Sequence, residues 1–333
     1  MPATDPHQLI QAILDAIEDC VYSAVPVSPV RRHPRKFAVT SPEGHGLSLW
    51  VYIWTLTHGG RSSLPHEYRI QMTTVNSPLD VNPTGLTILL GYEPSRKAFA
   101  GFDLSRHRLF TTGSPSIQID IRTLDQSLQD GLAFYRKSNS EIAVGARPDQ
   151  LMAYAQNAQN LHTYGRQADT LGLLQKASSL QEISEQDIAF LNAQRKRIIQ
   201  TVSRLSRQAN FRQQVLYAYG NRCAVTRMQL RLVDAAHILP VGAPGSADDI
   251  RNGIALSPTY HRAFDNGLIY LDESHTMRVN PERESSLAAL RLDGGLSGFK
   301  AALGRVLLPP DRRQWPHATF IKNANRFRKV RES

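Results

Sequence analysis

Between residues 234 and 267 the chain reads DAAHILPVGAPGSADDIRNGIALSPTYHRAFDNG, and three residues in it are not what apolar packing asks for: His237, Asn252 and His261. Hydrolysis of a phosphodiester needs a base to activate water, a hard cation to stabilise charge on the phosphate and the leaving oxygen, and a fixed frame between them. A histidine together with a divalent ion held by imidazole and carboxylate can supply both functions.

The elements around these residues suit that task. RLVDAAHIL is a β-branched and aliphatic run that ends at Pro240, a strand with His237 near its exit. A loop of Pro, Gly, Ser and Asp spans 240–251. Asn252-Gly253 turns the chain into a second short strand, GIALS, to give an antiparallel pair. Ser257 before Pro258 is a helix start, and Gly267 ends that helix, which places His261 in its first turn.

Strand, turn, strand and helix carrying His, Asn and His in those places resemble the HNH nuclease family, built on the ββα-metal fold. The longer pattern RCAVTRMQL, DAAHILPV and NGIALSPTYHRAFDNGLI, with the lead-in FRQQVLYAYGNRCAVT, resembles the branch common in bacterial restriction endonucleases. The resemblance covers about 205–280. It implies that His237 is the general base, that Asn252 holds the loop so that the base faces the scissile phosphate, and that His261 is a metal ligand. Many such sites place an acid directly before the base, where this chain has Ala236. The second ligand is therefore Asp234 or Asp265, with Asp234 preferred because it shares a strand with the base, although strand alternation turns an i, i+3 pair to opposite faces unless a bulge intervenes. Thr226 stands where zinc-stabilised relatives carry a second cysteine after Cys223, so no structural zinc is expected, and the metal implied is Mg²⁺ or Mn²⁺.

At 333 residues the chain is long enough for two domains with cores of their own. Its net charge of +10 points to a polyanionic partner, double-stranded DNA in the reading above. No apolar run is long enough to span a membrane, and the N-terminus carries acids in an amphipathic pattern rather than a basic leader, which reads as a cytoplasmic protein. Cys20 and Cys223 read as reduced thiols packed in cores.

Leu9, Ile10, Ile13, Ala16, Ile17 and Val21 form one stripe at helical spacing. From Lys36 to Ile121 short β-rich runs alternate with Gly, Pro, Asn and Ser clusters, the texture of an antiparallel sheet or barrel. Thr123 and Gln126 suggest a capping box and a helix to about Leu132; EIAVGAR is a strand, and Pro148 opens a helix. Ser184 and Asp187 suggest the cap of a long helix through QRKRIIQTVSRLSRQ.

The expected fold class is α+β: a mostly antiparallel β domain with flanking helices at 1–165, a basic helical linker at 166–204, a ββα-metal nuclease at 205–285 and a basic extension at 286–333. Arg61, His66, Arg69, Arg106, His107 and Arg108 are candidate DNA contacts, and Trp50, Trp54, Tyr92 and Phe102 are candidates to cage a flipped base. These readings converge on a restriction endonuclease, working as a homodimer because each chain holds one centre, with a first domain that reads DNA or a modified base. The alternatives are a defence effector whose first domain senses a small molecule or protein and triggers indiscriminate DNA degradation, and a DNA-binding module with a decayed site.

Overall fold

The structure is a computed structural model that describes residues 4–111 and 113–330. The chain divides into two compact units, residues 1–209 and 210–333.

The first unit holds, in chain order, helix α1 (Pro6–Asp19), strands β1 (Ser23–Pro26), β2 (Arg35–Thr40), β3 (Gly46–Thr55), β4 (Thr57–His58), β5 (Glu67–Gln71), β6 (Leu86–Glu93) and β7 (Ala98–Phe102), helix α2 (Leu104–His107), strand β8 (Ser116–Asp120), helix α3 (Arg122–Asp130), strands β9 (Leu132–Arg136) and β10 (Ile142–Ala146), and helices α4 (Leu151–Tyr164), α5 (Ala168–Ser178) and α6 (Glu185–Ala189). The long helix α7 (Ala193–Ala218) crosses the boundary between the units. Seven strands pair in the order β1-β2-β3-β6-β7-β10-β9, antiparallel except for β3 with β6, and β4-β5-β8 form a second small sheet.

The pleat of β3 explains the layers. Leu49, Val51 and Ile53 point to a core shared with Ile13 and Ile17 of α1, Leu151 of α4, Leu173 and Leu174 of α5, and Ile198, Ile199 and Val202 of α7. Tyr52 and Trp54, at alternate positions, join Ile70, Phe102, Ile117 and Leu124 in a core on the opposite side.

This arrangement corrects several expectations. Residues 166–204 are helical, yet they are not a linker: their leucines and isoleucines close the first core, and Arg195 pairs with Asp169 while its Nε donates to Thr170. The Ser184–Asp187 capping box forms, but its helix ends after one turn and α7 starts afresh at Ala193. Helix α3 begins one residue before Thr123, which is buried rather than capping, and stops at Gly131 (φ 87°), so Leu132 opens a strand. Val21 has left the helix and is exposed. The four aromatics form no cage, because Tyr92 packs with Phe99 on one side of the sheet while Trp54 and Phe102 belong to the other core. Arg61 is held by Glu67, His107 by Glu141, and Arg108 donates to the Leu79 carbonyl.

The second unit continues with β11 (Asp234–His237), β12 (Gly253–Leu256), α8 (Pro258–Asp265), β13 (Ile269–Leu271), β14 (Thr276–Val279), α9 (Pro281–Ala289), α10 (Leu296–Ala301), β15 (Gly304–Arg305) and α11 (Ala318–Phe327). Its core gathers Phe211 and Val215 of α7, Ala236, Ile254, Ala255, Leu256, Phe264, and Ile321 and Ala324 of α11. The extension 286–333 is thus not a detached tail. Its helix α11 fills that core, and Asn325 donates to the Leu271 carbonyl; the last three residues lie outside those described.

Candidate active site

β11 and β12 pair antiparallel in unbroken register, Asp234 with Leu256 and His237 with Gly253. The Asn-Gly step is not a tight hairpin turn. Asn252 ends a short 3₁₀ turn, and Gly253 is extended (φ −115°). A Cβ at Gly253 would stand 2.2 Å from Cγ2 of Val215, so this glycine serves the close approach of β12 to α7.

The long loop between the strands, 238–252, is fastened from inside. Asn252 is fully buried; its Oδ1 accepts from the Leu239 N–H at 2.8 Å, and its Nδ2 donates to the carbonyls of Leu239 (3.2 Å) and Ala247 (3.0 Å). One side-chain amide thus satisfies both backbone groups of Leu239, as another strand would. Arg328, which caps the C-terminus of α11, donates to the Ile238 carbonyl at 2.7 Å, and its guanidinium lies 4.5 Å from the Phe264 ring centre.

At the exit of β11 the His237 ring is fixed on two sides. It stacks on Phe211 with centroids 3.9 Å apart and planes 12° from parallel, and its Nε2 lies 2.9 Å from Oδ1 of Asp248. A proton on Nε2 donated to that carboxylate leaves Nδ1 as the basic nitrogen.

At the other end of the strand, His261 lies between the two candidate carboxylates. Its Nδ1 is 3.4 Å from Oδ2 of Asp234, and its Nε2 is 3.3 Å from Oδ2 of Asp265, one helical turn on. Burial alone would lower the His261 pKa; the hydrogen bond that its ring donates to Asp234 and the charges of Asp265 and Asp234 outweigh it and hold the pKa above the ordinary value.

The structure therefore brings Asp234, His261 and Asp265 together, and seats His237 among Asp248 and Phe211. With no bulge in the ladder, the pleat turns Asp234 and His237 to opposite faces. Among the described residues, no group of three or more His, Cys, Asp or Glu is gathered as a metal site. Imidazole and carboxylate are nonetheless the donors a hard divalent cation takes. Because the carboxylates face opposite edges of the ring, His261 with Asp234 or His261 with Asp265 would hold such an ion. Cys223 is buried; its Sγ accepts from the Thr226 N–H at 3.4 Å.

Sequence reasoning missed Asp248, Phe211 and Arg328. The run SADD offered two acids with nothing to separate them, and the fold assigns each: Asp249 caps the 3₁₀ turn and binds Arg251, which frees Asp248 for His237. Phe211 and Arg328 lie too far along the chain from His237 to leave a local signal.

Residues 223–272 match the family described as HNH endonuclease, and residues 47–155 match the family described as Methylase-associated X1. A comparison with curated proteins returned no match. Among solved structures, the chain aligns with one titled "Modification dependent TagI restriction endonuclease" at 12% identity, over 83% of this chain and 80% of that one, with a TM-score of 0.29, a likeness too low to carry a shared fold. The match at 223–272 falls on the strand, strand and helix that hold His237, Asn252 and His261: the chain carries an HNH endonuclease domain and is a DNA-cleaving hydrolase.

Proposed function

We propose that this hydrolase is a metal-dependent endonuclease of the restriction type, cutting double-stranded DNA after its first unit has read it. The observation that carries the catalytic part is the His237 ring held between Phe211 and Asp248 at the end of the same strand that presents Asp234 to His261. Nδ1 of His237 takes the proton from the attacking water, while Asp248 keeps the ring in the tautomer that leaves this nitrogen basic. Asn252 and Arg328 hold the strand exit, so the base keeps its direction as the proton moves. His261 with Asp234 or Asp265 would hold Mg²⁺ or Mn²⁺, which when bound stabilises charge on the phosphorane and the leaving 3′ oxygen. Asp234 and His237 stand at opposite ends of β11, about 10 Å apart along its backbone and on opposite faces of the ladder.

The match of 47–155 to a methylase-associated family supports a partnership between this chain and DNA modification. One centre per chain and two strands to cut favour a homodimer. The test is to incubate methylated and unmethylated plasmid with Mg²⁺, Mn²⁺ or EDTA and to sequence the ends. Discrete, metal-dependent ends set by sequence or methylation are expected; cutting that persists in EDTA removes the metal from the reading.

One observation favours a second reading, the triggered effector. The first unit has a cavity of about 300 Å³ lined by Asn82, Asp103, Arg108, Gln159 and His162, a size and polarity that suit a small ligand. Smears of DNA fragments appearing only when an activator is added would support it.

A further inference from the structure

The core formed by Trp54, Ile70 and Phe102 covers only part of the outer face of the seven-stranded sheet. Over β1, β2 and the start of β3 that face is open. Val25 is 59% exposed, Ala38 and Thr40 are exposed, and Trp50 belongs to neither core of the unit although it alternates with core residues on both sides. Lys36, paired with Trp50 across the ladder, places its ammonium 3.9 Å over the indole ring.

The charge along this edge is of one sign. Residues 30–36 read VRRHPRK, with no acid among them. Arg31 and Arg32 are exposed and Val27 beside them is 60% exposed. Arg35 of the same segment is buried, and its hydrogen bonds go to the carbonyls of Val30 and Ile53 and to His33, none of which returns a negative charge. The hairpin's acid, Glu43, lies at its other end, in the turn between β2 and β3.

An open sheet face that interleaves an aromatic ring with cations is suited to a nucleic acid, whose phosphates take the cations and whose sugars or bases take the ring. We propose that the β1–β2–β3 edge, with Arg31, Arg32, Lys36 and Trp50, is the surface by which the first unit binds duplex DNA. This rests on the reading that the first unit binds DNA at all, and it moves the interface away from Arg61, His107 and Arg108, which are engaged within the fold.

The test uses the full chain carrying His237→Ala, so that DNA is bound and not cut, with a fluorescent duplex titrated at a series of salt concentrations. For every phosphate that is no longer neutralised, the log–log salt slope falls by about 0.9. Arg31→Glu with Arg32→Glu should weaken binding about tenfold at low salt and lower the slope by about 2. Trp50→Ala should weaken binding with the slope unchanged. Arg106→Glu with Arg136→Glu, the same charge change on exposed residues elsewhere in the unit, should change neither. If affinity and slope ignore the Arg31/Arg32 change but follow the Arg106/Arg136 change, this surface is wrong while DNA binding by the first unit stands. If both pairs are silent and only Arg312→Glu with Arg313→Glu in the second unit moves the slope, DNA binding by the first unit fails as well.

Discussion

His237, the proposed general base, has one face against Phe211 and one edge against Asp248. His237→Ala should lower the cleavage rate by about 10²- to 10⁴-fold, the usual cost of removing a general base, with DNA affinity nearly unchanged. Asp248→Asn keeps the shape but can no longer accept the Nε2 proton as a charged partner; a loss of about 10- to 100-fold in rate is expected, the range seen when an orienting partner of an imidazole is removed. Single-turnover rates over a pH series measure both, and an unchanged Asp248→Asn profile would separate Asp248 from the mechanism. For the metal, Asp234→Asn and Asp265→Asn are to be compared at graded Mg²⁺. The variant that raises the concentration needed for half-maximal rate identifies the carboxylate that shares the ion with His261. Asp234 is expected, because its side chain is 22% exposed against 55% for Asp265 and so loses less freedom on binding.

At the scale of elements, two junctions set the positioning. The first is β12 against α7, where only hydrogen fits between Gly253 and Val215. Gly253→Ala should lower stability by about 1–3 kcal/mol through overpacking and reduce cleavage with it, read by thermal unfolding and by rate. The second is the start of β10, where buried Glu141 lies 2.7 Å from Nε2 of His107 and 3.1 Å from Nζ of Lys137. Burial alone would raise its pKa; the His107 hydrogen bond and the Lys137 charge outweigh it and hold the carboxyl at about 2. A carboxylate depressed in the folded state contributes stability that is fully present above its ordinary pKa of 4.5 and is lost as pH falls from there toward 2. Glu141→Gln should therefore flatten the fall in melting temperature over that acid window, and an unchanged acid limb would show that the cluster carries no such linkage.

For the whole molecule, charge and covalent division both matter. The stretch 210–333 holds 18 basic and 11 acidic residues, while 1–209 holds 21 and 18, so the nuclease unit carries the denser excess of positive charge. Its binding to DNA should weaken steeply with salt and show little sequence preference. The division at 209/210 also changes where the chain can be cut. A fragment of 1–165 would leave bare the surface that Leu173, Leu174, Ile198, Ile199 and Val202 cover. It should melt at lower temperature or aggregate, whereas 1–209 should unfold cooperatively; soluble yield and thermal unfolding of the two fragments decide this.

The local elements were legible because their signals are local. A β-branched and aromatic run marks β3, an apolar stripe at helical spacing marks α1, and Ser257-Pro258 starts α8. The succession of strand, strand and helix around residues 234–267 was legible for the same reason. What only the tertiary structure decided are the meetings between distant segments. Phe211 lies on another element from His237, Arg328 arrives from the C-terminal helix, and Asp248 is told from Asp249 only by which one caps a turn. The stretch 166–204 read as a linker because it is rich in Gln, Ala and Ser and its long helix is basic on its polar face; it is core because the sheet offers its leucines and isoleucines an uncovered face. Periodicity in a sequence records that a residue will be buried, but not against what, since burial is set by the partner surface that folding brings to it.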